Sequence, residues 1–351
     1  MSEEKRFKVL LVLIGLSFSF LAYAFTSQSS QLADKIAFLR EGEVWVADTG
    51  GQNLRQLTND SGKVEDFLFS PGLRYLAYAR IIGSAEEPGL WDSTEVPPQR
   101  AIHSIVILDL QTNKKVKEIL PSRDPWIYIS RWLPGEKFVY YGADGFAVNG
   151  YYQYDPVTGA EAELPSGENG LLDADYSSDG LLKAYVTYTG LGKSYRNNLR
   201  LVHLQSNRDT TLVSRRGSIC DQRISNGGSQ IVFIEVERAG NAYFDNLWLY
   251  DLSKSACISL QRRPAKPKSG GVHYVAWSLD DRYVGLFFPP EALVFDLQQP
   301  ADHLTVTGRN FYWIGNDRIA FNVNDDLYVY DLKTKSKVLL VKKAEQPVFL
   351  R

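Results

Sequence analysis

"FLFSPGLRYLAYAR", Phe67–Arg80, sets an apolar and aromatic run against a Ser-Pro-Gly break, and a second run follows at once from Tyr75. This reads as two strands joined by a tight turn. Variants return down the chain. "RWLPGEKFVYYG" begins at Arg131, "DYSSDGLLKAYV" at Asp175 and "RISNGGSQIVFI" at Arg223. "AWSLDDRYVGLF" begins at Ala276 and "YWIGNDRIAFNV" at Tyr312. Each has an aromatic or apolar residue, a turn rich in Ser, Pro, Gly, Asn or Asp, and a second strand. Pro and Gly supply the turn dihedrals, and Asp and Asn can bond their own backbone there.

A further strand follows each copy. It ends at Asp109 in "SIVILDLQT", Asp155 in "YYQYDPVTG", Asp251 in "LWLYDLSKS", Asp296 in "ALVFDLQQP" and Asp331 in "LYVYDLKTK". His203 holds that place in "LRLVHLQSN", and an early copy, "EVWVADTGG", has Asp48. A polar turn and a short fourth strand come next. The alternation has period two, not 3.6. Four strands recurring about every 40 residues indicate a propeller blade. The sequence therefore predicts an all-β, seven-bladed β-propeller of four-stranded blades. The first unit lacks its strand A and starts at "KIAFLR", Lys35–Arg40. The tail "AEQPVFLR", Ala344–Arg351, resembles a strand A. It is expected to close the ring as the inner strand beside Lys35–Arg40, which removes an open sheet edge.

The pairing of "FSPGLRYLAY" with "IVILDL" resembles the WD40-like repeat of TolB-type propellers, a repeat also found in the propellers of prolyl-oligopeptidase-family proteins. The resemblance covers nearly all of Lys35–Arg351 and is specific for architecture rather than function. TolB proteins carry an extra domain before the propeller, and prolyl oligopeptidases carry a hydrolase domain. This sequence offers room for neither, so a stand-alone propeller over 35–351 is expected.

Before it stands "MSEEKRFKVLLVLIGLSFSFLAYAF", with Lys5, Arg6 and Lys8 ahead of an apolar run from Val9. Ala22-Tyr23-Ala24 has the form of a signal-peptidase site, so residues 1–24 read as a signal peptide or as an uncleaved membrane anchor helix, with 25–34 a linker. Both readings place the propeller outside the cytoplasm, periplasmic or extracellular. The composition is globular, 44% hydrophobic and 23% charged, and a net charge of −2 gives no reason to expect nucleic acid. A membrane contact is expected only through the leader, if it is uncleaved. Twenty Tyr, 17 Phe and 7 Trp suit pleated, half-buried surfaces. Cys220 and Cys257 fall on strands A and D of one blade, too far apart to bridge, so two free thiols are expected.

Catalytic signals are poor. "TGLGKSY", Thr189–Tyr195, lacks the first glycine of a phosphate loop and runs into a strand. "DADYSSDG", Asp173–Gly180, does not space its acids as a calcium loop does. There is no Gly-x-Ser-x-Gly elbow, and His103, His203, His273 and His303 lie on different units. No catalytic residue, metal ligand or cofactor is expected.

The stronger signal is loop asymmetry. A–B and C–D turns are short, while B–C and D–A connections hold insertions: Ile81–Arg100, Gly190–Asn198, Glu237–Asn246, Pro121–Trp126 and Gln261–Gly271. Aromatic and Arg side chains in exposed loops are what interface cores favour. This marks Trp91, Trp126, Tyr195, Arg196, Tyr243, Phe244, Arg262 and Arg263 as candidate partner-binding residues. A polar cluster is expected along the channel, with Arg131, Asp175 and Arg223 at one height and Asp173 and Asp221 beside them. There Asp175 is expected to bridge toward Arg131 or Arg223. The function that fits is a non-catalytic exported module, binding a protein or peptide or acting as a scaffold. The alternative is a propeller enzyme or a small-ligand or glycan binder using channel-mouth residues.

Overall fold

The computed structural model describes residues 32–86, 99–122, 124–143, 148–164, 174–190, 194–264, 274–288, 290–299 and 303–350. Among them, seven four-stranded antiparallel sheets form, each in the strand order of a propeller blade. Blade 1 holds β1 (Lys35–Arg40), β2 (Glu43–Asp48) and β3 (Arg55–Gln56). Blade 2 is β4 (Val64–Phe69), β5 (Tyr75–Glu86), β6 (Gln99–Asp109) and β7 (Lys114–Ile119). Blade 3 is β8 (Trp126–Leu133), β9 (Lys137–Ala143), β10 (Val148–Tyr154) and β11 (Glu161–Glu163). Blade 4 is β12 (Asp175–Tyr176), β13 (Leu182–Thr189), β14 (Arg196–His203) and β15 (Arg208–Arg215). Blade 5 is β16 (Ser218–Ile224), β17 (Gln230–Ala239), β18 (Ala242–Asp251) and β19 (Ala256–Pro264). Blade 6 is β20 (Tyr274–Trp277), β21 (Tyr283–Phe288), β22 (Glu291–Asp296) and β23 (His303–Thr307). Blade 7 is β24 (Arg309–Trp313), β25 (Arg318–Val323), β26 (Asp326–Asp331) and β27 (Ser336–Val341). The tail strand β28 (Glu345–Leu350) takes the inner place of blade 1, in the order β28-β1-β2-β3. Asp34 N donates to Leu350 O at 2.8 Å.

The chain divides into two compact units: Met1–Asp48 with Gln52–Leu164 and Leu350–Arg351, and Thr49–Gly51 with Pro165–Phe349. In the first, Tyr75, Ile105 and Ile107 of blade 2 pack with Ile129, Phe138 and Tyr140 of blade 3. In the second, Phe233 and Ile231 of blade 5 join Leu199 and Leu201 of blade 4. The opposite face of blade 5, with Val232 and Leu249, meets Leu286 and Phe295 of blade 6. A blade's middle strands are thus covered on both faces, which explains why β21 is buried throughout.

The repeated residues have local work to do. Ser70, Ser177, Ser225 and Ser278 each accept, through the hydroxyl, the backbone N–H five residues on, where the next strand starts. Several of the aspartates at the ends of the third strands accept N–H groups of the following turn: Asp109 from Gln111 and Thr112, Asp155 from Val157 and Thr158, Asp331 from Thr334. These are Asx turns. They hold the carboxyls of Asp155 and Asp331 below the usual carboxylate range. The indole N–H groups of Trp132, Trp277 and Trp313 donate to carbonyls on the preceding blade: Leu68, Arg223 and Ala276.

Cys220 on β16 and Cys257 on β19 are free thiols at opposite edges of blade 5, as their spacing predicts. Residues 1–31 lie outside the described residues, and with them the expected leader. Among the described residues no helix is long and apolar enough to cross a membrane.

Candidate functional site

The expected exposed loop of blade 5 is mostly paired strand, and that of blade 4 is paired from Arg196 on. β13 and β14 stay in register out to Thr189↔Arg196, and β17 and β18 out to Ala239↔Ala242. A hairpin lets each backbone amide find a partner, where an open loop would leave it to water. Gly240, at φ 63°, supplies the left-handed conformation that the tight turn after Ala239 demands. Tyr243 and Phe244 therefore stand on β18 and Arg196 on β14. Arg262 and Arg263 stand on β19, not in the D–A loop.

These strand ends are aromatic. Tyr188 and Tyr195 stack at 5.9 Å with 15° between their planes, and are 61% and 38% exposed. Arg196 Nη1 donates to Tyr195 O at 2.8 Å. Tyr243 is 49% exposed, with the Arg238 guanidinium 5.9 Å from its ring centroid. The Arg262 guanidinium lies 4.4 Å from the Phe244 centroid, and its Nη2 is 3.3 Å from Glu237 Oε2. Arg215, at the end of β15, reaches across to blade 5: it lies 3.7 Å from Glu235 Oε2 and 4.8 Å from the Trp248 centroid. The two aromatic hairpin ends are thus neighbours. Sequence reading missed Tyr188, although the alternation of "YVTYT" carries its strand to that residue.

Two expected binding residues have structural surroundings instead. Trp126 opens β8, pairs with Ala143 and is only 2% exposed, under the Arg100 guanidinium at 5.3 Å. Arg263 packs 3.4 Å from the Phe288 centroid and ion-pairs with Asp245 at 3.2 Å. Trp91 and Asp173 lie outside the described residues.

On the inner strands of the second unit, Asp175 Oδ2 accepts the Ile224 N–H at 2.7 Å, a bond from one blade to the next. Asp221 Oδ2 accepts the Val275 N–H at 2.5 Å, again to the following blade, and Oδ1 lies 2.8 Å from Arg223 Nη2. Arg131 stands on β8, in the other unit. Burial pushes the Asp221 carboxyl up to about 6, outweighing Arg223 and the Val275 N–H, and Asp175 adds to the rise. In the unfolded chain the same group titrates near 3.8. The native state therefore binds more protons across that window, and stability falls as pH rises from about 4 to 6. Asp221 sits at φ 53°, which Asn tolerates well. Asp221→Asn is expected to match the wild type at pH 4 and to exceed it by about 2 kcal/mol at pH 7.5. Denaturant unfolding across that range checks this. A variant weaker than wild type at pH 7.5 would show that the Arg223 pair outweighs burial.

The motifs set aside in the sequence have local partners where they are described. Asp179 accepts Ser177 Oγ and the Leu181 N–H within the blade 4 turn. His103 Nε2 contacts Glu65 Oε2 at 2.6 Å, and the His303 ring lies 5.5 Å from Phe295. His273 and 191–193 of "TGLGKSY" lie outside the described residues. Among the described residues, no group of three or more His, Cys, Asp or Glu is placed to hold a metal ion.

No protein-family model and no curated protein matches this chain. Solved structures do. TolB from Acinetobacter baumannii is 16% identical over 88% of this chain and 78% of its own, with a TM-score of 0.45. A eukaryotic initiation factor is 10% identical over 90% and 98%, at 0.50. Oligogalacturonate lyase from Vibrio parahaemolyticus is 12% identical over 88% and 86%, at 0.47. Likeness at these identities concerns the fold alone. Seven blades is the number that counting the repeats in the sequence predicts, and the seven four-stranded sheets bear that count out.

Proposed function

We propose that this chain is a non-catalytic, exported β-propeller that binds a protein or peptide partner through the B–C hairpin ends of blades 4 and 5. The carrying observation is the pair of neighbouring aromatic ends: the exposed Tyr188–Tyr195 stack, and Tyr243 with the Phe244–Arg262 contact. Large apolar rings presented on paired strands lose little entropy on docking, and Tyr and Arg dominate the energetics of interface centres. What supports export is the leader composition of residues 1–24.

The test is affinity capture from an envelope extract, comparing the wild type with a Tyr188→Ser/Tyr195→Ser/Tyr243→Ser variant. All three side chains are exposed, so the melting temperature is expected to stay within about 2 °C. A partner retained by the wild type and reduced at least about tenfold by the variant is the expected result. Equal retention by the two proteins would remove these hairpin ends from the reading.

A further inference from the structure

Within the first unit, a cavity of about 390 Å³ opens where the link after β7 meets one face of blade 3. Its lining includes Asp124 from the link, Tyr140 and Tyr152 from the sheet, and Glu161 and Glu163 from β11. That volume suits a small organic ligand. We infer that the cavity is a binding site for an organic cation, an alkylguanidinium or alkylammonium group.

Asp124 carries the inference furthest. It is 6% exposed, and Asn149 Nδ2 donates to its Oδ1 at 2.7 Å. Among the described residues no Lys, Arg or His forms an ion pair with it. A carboxylate removed from water and matched only by a neutral amide costs free energy that a cation would recover. The fold makes room for this carboxylate at a further cost. A Cβ built on Gly142 would lie 1.9 Å from Asp124 Oδ2. Gly142 is an interior residue of β9, where glycine is otherwise unfavourable and marks a close approach.

The remaining walls fit the same ligand. Tyr140 donates its hydroxyl to Glu161 Oε1, which fixes that carboxylate. Burial first, and then Glu161, push the Tyr140 phenol far above its ordinary range, so it remains a donor. Glu163 adds a third carboxylate. Among the described residues Lys117 ion-pairs with one of these acids: its Nζ lies 3.4 Å from Glu161 Oε2 and 5.7 Å from the Tyr154 centroid. Among the described residues, three acids against one lysine make the lining negative, which disfavours an anionic ligand. Tyr140 and Tyr152 stack at 5.1 Å and, with Leu120 and Ile127, give an apolar wall for an alkyl chain. Aromatic surface beside carboxylates recognises an organic cation. It does not suit a metal ion, for which the acids do not converge.

The inference uses none of the residues of the protein-binding reading, so either can fail alone. The experiment is isothermal titration of the purified full-length chain with agmatine, and in a second arm with acetyl-Ala-Arg-Ala-amide. The arms separate a free cation from an arginine side chain presented by a peptide. Saturable binding in at least one arm is expected, weakened at least about tenfold by Asp124→Asn and unchanged by Tyr243→Ser. Asp124→Asn is also expected to raise the melting temperature of the free protein, because it removes a buried charge that no described cation pairs with. An aspartate with a purely structural role would lower it. Gly142→Ala, which displaces the carboxylate, should weaken binding in the same way if the variant folds. No saturable heat in either arm up to about 10 mM would overturn the site. So would equal affinity in Asp124→Asn, or binding of glucose or magnesium where both guanidinium probes are silent.

Discussion

Deleting Ala344–Arg351 lowers the melting temperature by about 5 °C or more. Those residues supply β28, the fourth strand of blade 1, and with it Phe349 and Leu350, which are buried. Burial of two such side chains stabilises by about 3 to 6 kcal/mol, and each kcal/mol is about 1 to 2 °C in a chain of this size. The truncation also strips the inner edge of β1, whose residues Ile36, Ala37 and Phe38 are fully buried. An unpaired apolar edge is a template for aggregation. Thermal melting with light scattering checks both effects. A truncated chain that melts with the full-length protein and stays monomeric would mean that β28 contributes no stability to blade 1.

Asp245→Ala is the second large effect. Asp245 and Arg263 pair at 3.2 Å with side chains only 5% and 14% exposed. Burial already pulls the Arg263 guanidinium below its usual range, and Asp245 opposes that shift. Without the carboxylate, the guanidinium loses this ion pair while it stays buried beside the Phe288 ring. The expected loss is about 3 kcal/mol. Asp245→Ala/Arg263→Met should recover most of it, because removing both charges of a buried pair is far less harmful than removing one. Urea unfolding of the two variants provides the measurement. A single variant indistinguishable from wild type, or a double variant no better than the single, would contradict it.

The blades were legible because their signals are local. Ser70 and its counterparts start a strand five residues on, and Asp109 and its counterparts end one. Each mark lies within one turn of the backbone it satisfies. The tail strand was legible for the same reason, as the missing first element of a repeat. Strand length was harder to read. Glu237–Asn246 looked like a loop because it is polar, yet Gly240-Asn241 is a two-residue hairpin signal inside it. The alternation on either side continues the strands to that turn. Trp126 was misjudged as exposed because a connection before a strand A looks like surface until the neighbouring face covers it. Asp221 gave no sign that the β16–β17 register shifts between Cys220 and Arg223, since Asp-Gln-Arg reads as plain strand. The cavity was the least legible. Its walls come from residues as far apart as Leu120 and Glu163, and only Gly142, a bare residue within an aromatic strand, hinted at it.

The A–B turns carry a further consequence. Gly72 N donates to Glu136, Ser178 Oγ donates to Asn226 O, and Asn226 with Gly227 donates to Asp281. Every one of these contacts joins a turn to the next blade's turn, and each uses different partners. The repeats are therefore not interchangeable parts. Duplicating a blade, or exchanging blade 5 for blade 2, would set a turn beside a neighbour with the wrong donors. A lineage built by copying one ancestral blade would diverge in linked pairs, position 226 changing with 281 and position 72 with 136. That is a physical reason for the turn motif to drift from Ser-Pro-Gly to Ser-Asn-Gly while the strands around it keep their pattern.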